Sequence, residues 1–201
     1  IAIDPSGGGT SDFAITSTIF YQGNAVIVGM EAISLSIDPH KYEEILILHC
    51  NELRKNKCFK DSLFVFILEN NLGLEAAHID RFLHHSIKRN KLRGNHLIIR
   101  EDYSKKIGVL TNHSVKEKMY YMLLEMLKDD LLFIYYDTVC VSNSSNEILR
   151  ELHTQFREFA IIERGSKNPF QKINRRSWHM DAILPGMSND EKIDICLCVD
   201  M

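Results

Sequence analysis

From Ile1 to Ser34 the chain holds three strand-like runs in succession with only turns between them. Ile1-Ala-Ile-Asp4 is short and apolar, and Pro5 with Gly7-Gly8-Gly9 breaks it into a tight loop. Phe13 to Tyr21 is the second run, Gln22-Gly23-Asn24 a hairpin turn, and Ala25 to Ser34 the return, rich in Val and Ile. A meander therefore opens the chain, and helical and extended segments alternate after it.

Asp38-Pro39 predicts a helix start, with Asp38 as N-cap and Pro39 in the first position. Tyr42, Ile45, Leu46, His49 and Leu53 follow at helical spacing. Ser62 to Leu68 is almost wholly apolar, the mark of a central strand buried on both faces, and it ends on Glu69. Leu74 to Asn90 reads as a helix, His96 to Arg100 as a strand and Gly108 to Thr111 as a loop. A helix capped by Ser114 runs to Asp129, and Leu131 to Tyr136 is a short strand or extended edge. Glu147 to Phe159 is helical, Phe159 to Glu163 extended, residues 164–188 loop-like, and Asp190 to Met201 an amphipathic helix. A meander followed by this alternation predicts an α/β, ribonuclease H-like mixed sheet with helices on both faces. In that arrangement the first and fourth strands lie side by side and parallel.

The length of 201 residues, with 45% hydrophobic and 25% charged, suits one domain over 1–201 with a full core. A net charge of −3 excludes a uniformly basic nucleic-acid binder, but not a nuclease whose carboxylates hold cations. The five cysteines form no CxxC pair and read as reduced thiols of an intracellular setting. No apolar run reaches 18 residues, so no membrane span is expected. The chain starts inside a strand, without Met, and reads as a piece of a longer protein.

Asp4 ends the first strand and Glu69 the fourth, so the expected topology sets two carboxylates together at one sheet edge. A third acid from the last helix, Asp190, Glu191 or Asp194, would complete a pocket for two divalent cations; Asp12 and Asp181 are further candidates. Two-metal phosphodiester cleavage needs hard oxygen ligands and metals about 3.5–4 Å apart, and three or four acids suffice for two Mg²⁺ or Mn²⁺. Asp4 could instead only make a turn, and Asp190–Glu191 could only serve a helix N-terminus. Lys116 and Lys118 open a helix, where positive charge is mildly unfavourable, and are candidates for a phosphate contact or a solvated face. Arg164, Lys167, Lys172, Arg175 and Arg176 form a basic segment leading to Asp190 that could grip a DNA backbone. His78, His84 and His85 show no ligand spacing.

Five segments in order resemble the C-terminal nuclease domain of the large terminase subunit of tailed phages and herpesviruses. They are Asp4-x-Ser6-x-Gly8-x-x-x-Asp12; Phe66-Ile-Leu-Glu69-Asn-Asn-x-Gly73; Val115-Lys-x-Lys118 with Asp130-Leu-Leu-Phe-Ile-Tyr-Tyr; Gln155-Phe-Arg-Glu-Phe159; and Asn189-Asp190-Glu191-Lys-Ile-Asp194. The resemblance implies a metal-dependent endonuclease that cuts double-stranded viral DNA during genome packaging. Its metal ligands would be Asp4, Glu69 and, by alignment to the family's motif, Glu191 with Asp190 beside it; the final acidic pair is Asp-Glu here where the family has Asp-Asp. It also implies a portal and a small terminase subunit as partners. The setting would be the host nucleus if herpesvirus-like and the host cytoplasm if phage-like. No GxxxxGK[ST] motif is present, so the family's ATPase motor is expected N-terminal to this segment.

Ala2-Ile-Asp-Pro-Ser-Gly-Gly-Gly-Thr-Ser-Asp12 also matches the phosphate loop of actin- and heat-shock-type ATPases. That fold needs a second copy of the unit, which the sequence lacks, and gives Glu69 no role. A junction resolvase, an integrase core and a catalytically silent docking domain are also compatible with the pattern of strands and acids.

Overall fold

The computed structural model describes residues 1–5, 12–33, 40–71, 73–100, 107–142, 145–164 and 177–182. Strands β1 (Ala2–Asp4), β2 (Phe13–Tyr21) and β3 (Asn24–Ile33) form the opening meander. Helices and strands then alternate: α1 (Lys41–Leu53), β4 (Phe64–Leu68), α2 (Leu74–Lys88), β5 (His96–Ile98), α3 (His113–Lys128), β6 (Leu132–Val139) and α4 (Ser145–Glu158). β7 (Phe159–Arg164) and β8 (Ser177–Ala182) follow. The predicted α/β order and the ribonuclease H-like mixed sheet are both present.

The main sheet has six strands in the order β5-β4-β1-β2-β3-β6. β1 pairs antiparallel with β2 and parallel with β4, through Ala2↔Ile67 and Ile3↔Leu68. β4 pairs parallel with β5, and β3 parallel with β6, so β2 alone runs against the rest. The side-chain period of two divides β1, β2 and β3 between two cores. Ile3, Phe13, Ile15, Phe66 and Leu68 pack with Ile45, Leu46 and Leu53 of α1 and Ile79 and Leu83 of α2. Ala2, Ala14, Ile27 and Met30 pack with Leu123 of α3 and Ile148 and Leu152 of α4. Fully burying a side chain such as Phe66 or Leu68 stabilises the fold by roughly 1.5–3 kcal/mol. Burial also pushes the Cys50 thiol up to about 12, which removes it from thiolate chemistry.

Several local expectations are corrected. The α1 N-cap is His40, without a side-chain cap bond, rather than Asp38. α3 is capped by Asn112, whose side chain accepts from Val115 N at 3.1 Å, rather than by Ser114. Asn112 wins because its carbonyl reaches the third amide of the helix, an otherwise orphaned donor. β4 is not buried evenly on both faces: Phe64, Phe66 and Leu68 are buried, whereas Val65 and Ile67 are half-buried. β6 runs on to Val139, past the expected end at Tyr136, and bulges between its pairings Ile27↔Ile134 and Gly29↔Val139. Residues 164–188 are not all loop, since β8 pairs antiparallel with β7 from Phe159↔Ala182 to Arg164↔Ser177. Ser-Trp-His-Met-Asp-Ala alternates weakly, and its partner strand supplies the ladder that its composition did not advertise. The helix expected over Asp190 to Met201 lies outside the described residues. No described helix is long and apolar enough to cross a membrane.

Candidate active site

β1 and β4 are parallel neighbours, so their C-terminal ends lie at the same sheet edge. Ile3 and Leu68 are partners in that ladder, and Glu69 N donates to Ile3 O at 2.9 Å. Asp4 and Glu69 are the next residue on each strand. The pleat therefore turns both carboxylates away from the Ile3–Leu68 core, to the face covered by α3 and α4, on strands about 4.8 Å apart. Both residues are buried, at 9% and 7% exposure.

The segment after β5 completes the edge. Val109 N donates to Leu68 O at 2.7 Å, Asn70 N to Val109 O at 2.8 Å, and Glu69 bridges Val109 in parallel. Gly108 makes this approach possible: its φ is +70°, and a Cβ there would sit 2.2 Å from Leu68 O. Thr111, 4% exposed, is thereby brought against Glu69. Its hydroxyl donates to Glu69 Oε1, and Asn71 Nδ2 donates to the same oxygen at 2.6 Å. Asn71 and Thr111 also bind each other, through Thr111 N to Asn71 Oδ1 at 3.1 Å and Asn71 Nδ2 to Thr111 Oγ1 at 2.6 Å. Lys116, in the first turns of α3, brings Nζ to 3.9 Å from Glu69 Oε1.

The fold thus sets Asp4 and Glu69 on neighbouring strand ends and Lys116 near Glu69. Lys118 is exposed, as are His78, His84 and His85. Asp12 stands one position before β2, half-buried. Among the described residues no group of three or more His, Cys, Asp or Glu is placed to hold a metal. Asp190, Glu191 and Asp194 lie outside the described residues, as do Lys167, Lys172, Arg175, Arg176 and the glycine loop. Asp181 has its backbone in β8, opposite Ala160. The donors that are present suit a hard cation: two buried carboxylates supply oxygen ligands of the kind Mg²⁺ and Mn²⁺ take.

Solved structures carry the same architecture. A human cytomegalovirus terminase nuclease domain superposes at TM-score 0.70 with 12% identity, over 98% of this chain and 79% of that one. The fold is that of a terminase nuclease domain. A manganese-soaked structure of that viral domain matches at TM-score 0.67 and 15% identity, over 100% of this chain and 78% of its own. A manganese-soaked, inhibitor-bound one matches at TM-score 0.64 and 12% identity, over 77% and 72%. No family model and no curated protein matches the sequence.

On this terminase nuclease fold, two features escape a sequence reading. One is the Asn71–Thr111 pair on Glu69, which joins residues forty positions apart. The other is a fully buried carboxylate, Glu31 on β3. Its Oε1 meets His49 Nδ1 at 2.6 Å, and His49 Nε2 meets Ser17 Oγ at 2.8 Å. Val141 N, Ser142 N and Ser142 Oγ also donate to Glu31, at 2.6–3.1 Å. The ring of His49 fills the space over Gly29, where a Cβ would sit 2.6 Å from Cε1. Inward spacing on α1 marks His49 as a core residue, but nothing in the sequence marks Glu31 as its partner.

Proposed function

We propose that this chain is a divalent-metal-dependent endonuclease acting on double-stranded DNA. Asp4 and Glu69 are metal ligands, and the third carboxylate comes from Asp190–Glu191. The observation that carries this reading is the parallel β1–β4 register, which sets two buried strand-end carboxylates side by side on one face. Burying two carboxylates together is costly, and a cation between them offsets that cost. Two Mg²⁺ or Mn²⁺ ions bound there would stabilise the attacking and leaving oxygens of a phosphodiester displacement. The protein's own part is to hold the carboxylates rigid at the sheet edge and to set Lys116 beside them as a cation for a phosphate oxygen. The likeness to manganese-soaked terminase nuclease domains supports a divalent metal and a role in packaging viral DNA. A portal and a small terminase subunit are then the expected partners. Sequence-independent cutting is expected, because phosphate contacts position a duplex without reading it.

Conversion of supercoiled plasmid in Mn²⁺ tests the proposal. Wild type nicks and linearises it, and chelator stops the reaction. Asp4→Asn and Glu69→Gln each remove a ligand charge at constant size. Both are expected to lose at least about 100-fold in rate, more than is typical for an outer-sphere change. Cutting by either variant at the wild-type rate would refute the assignment.

A further inference from the structure

We propose that Asn71 and Thr111 are positioning residues, which occupy Glu69 Oε1 and leave Oε2 as the single oxygen that Glu69 offers a metal. This rests on the reading of Glu69 as a metal ligand.

A carboxylate oxygen has about two lone-pair sites. Oε1 of Glu69 takes the Asn71 amide at 2.6 Å and the Thr111 hydroxyl, which fills both, and the Lys116 ammonium stands 3.9 Å away as a further cation. Among the described residues, every donor to Glu69 converges on Oε1 and none on Oε2. A bidentate metal would have to displace a buried hydroxyl and an amide that are also bonded to each other. Coordination through Oε2 displaces nothing. The clamp is itself built into the sheet edge, because Thr111 follows the Gly108–Val109 segment that hydrogen-bonds to Leu68 and Asn70. It fixes the rotation of the carboxylate as well as its position, which is the task of outer partners at metal sites. Lys116 sits on the clamped oxygen, so its charge lowers the negative potential at Oε1 without competing for Oε2.

Mn²⁺ titration followed by electron paramagnetic resonance of the free ion, on wild type and variants, tests this. Thermal unfolding without metal is measured in parallel. Asn71→Ala and Thr111→Val are each expected to weaken Mn²⁺ binding on the order of 10-fold. Thr111→Ser keeps the hydroxyl and should bind like wild type, and Glu69→Gln should lose the site. If Glu69→Gln loses Mn²⁺ while Asn71→Ala and Thr111→Val bind normally, the clamp is refuted and the metal ligand stands. The clamp is equally refuted if these two variants lower the melting temperature without changing affinity. Equal binding by wild type and Glu69→Gln, or none by wild type, refutes both readings. Should Thr111→Val fail to fold, Asn71→Ala decides alone, since Asn71 is exposed.

Discussion

Glu31 and Glu69 are both buried carboxylates on strands of one sheet, yet their surroundings differ in kind. Glu31 lies in mid-sheet with donors on both oxygens: His49 and Val141 reach Oε1, and Val141, Ser142 and the Cys140 thiol reach Oε2. It is satisfied on every side, and it ties β3 to α1 and to the residues after β6. Glu69 lies at the strand end with all its described donors on one oxygen and a second carboxylate, Asp4, on the next strand. A saturated buried acid has no oxygen left for a ligand, whereas a half-saturated one beside another acid has ligand capacity to spare. Burial alone does not distinguish the two, but the distribution of donors does.

Exchanging the roles in a mutant pair gives the largest expected effect. Glu31→Ala takes the acceptor from buried His49 Nδ1 and from the half-buried Val141 and Ser142 donors, and should cost about 3–5 kcal/mol of stability. Mn²⁺ affinity of the folded fraction should not change. Glu69→Gln should do the opposite, removing metal binding and cutting with little change in urea midpoint. Urea unfolding with Mn²⁺ titration of both variants reads the contrast. A Glu31 variant that loses metal but not stability would erase the distinction.

Acid unfolding sharpens it. Burial pushes the Glu31 carboxyl up, but the His49 hydrogen bond and charge, with Ser142 and Val141, more than offset this and leave it below its ordinary value. A depressed carboxyl contributes stability above its unfolded pKa and loses it as pH falls through the folded value. Stability should therefore decline on the acid side, below the ordinary carboxylate range near 4.5. Glu31→Gln should flatten that limb in a urea-midpoint series against pH. An unchanged acid limb would place its origin in other groups.

The smallest effect concerns the DNA rather than the carboxylates. Arg175→Ala with Arg176→Ala should weaken binding about equally on unrelated duplexes and reduce the salt slope by roughly one unit per lost phosphate contact. Mn²⁺ affinity should stay the same. An unchanged slope would move the DNA to another face, with Lys116 and Lys118 next.

Much of this was legible in sequence, because periodicity and strand-end chemistry are local. The meander, the apolar run into Glu69 and the helix spacing of α1 and α2 set the topology, and the topology set Asp4 beside Glu69. What was not legible depends on distant pairing. β8 forms against β7 across residues 165–176, and a weak alternation does not announce a partner strand. Thr111 reaches Glu69 only because Gly108 turns the chain onto the end of β4, which its loop-like sequence does not reveal. The Glu31–His49 pair joins a strand to a helix eighteen residues later, with no spacing rule to flag it.

On the proposed function, Asp4 and Glu69 share a divalent cation. Anomalous diffraction from a crystal of this protein soaked in Mn²⁺ tests it most directly. The expected result is a manganese peak between the two carboxylates, bonded to Glu69 through Oε2, with a side chain of the Asp190–Glu191 pair completing the ligands. Manganese bound only elsewhere, with no anomalous peak at Asp4 and Glu69, would contradict the account.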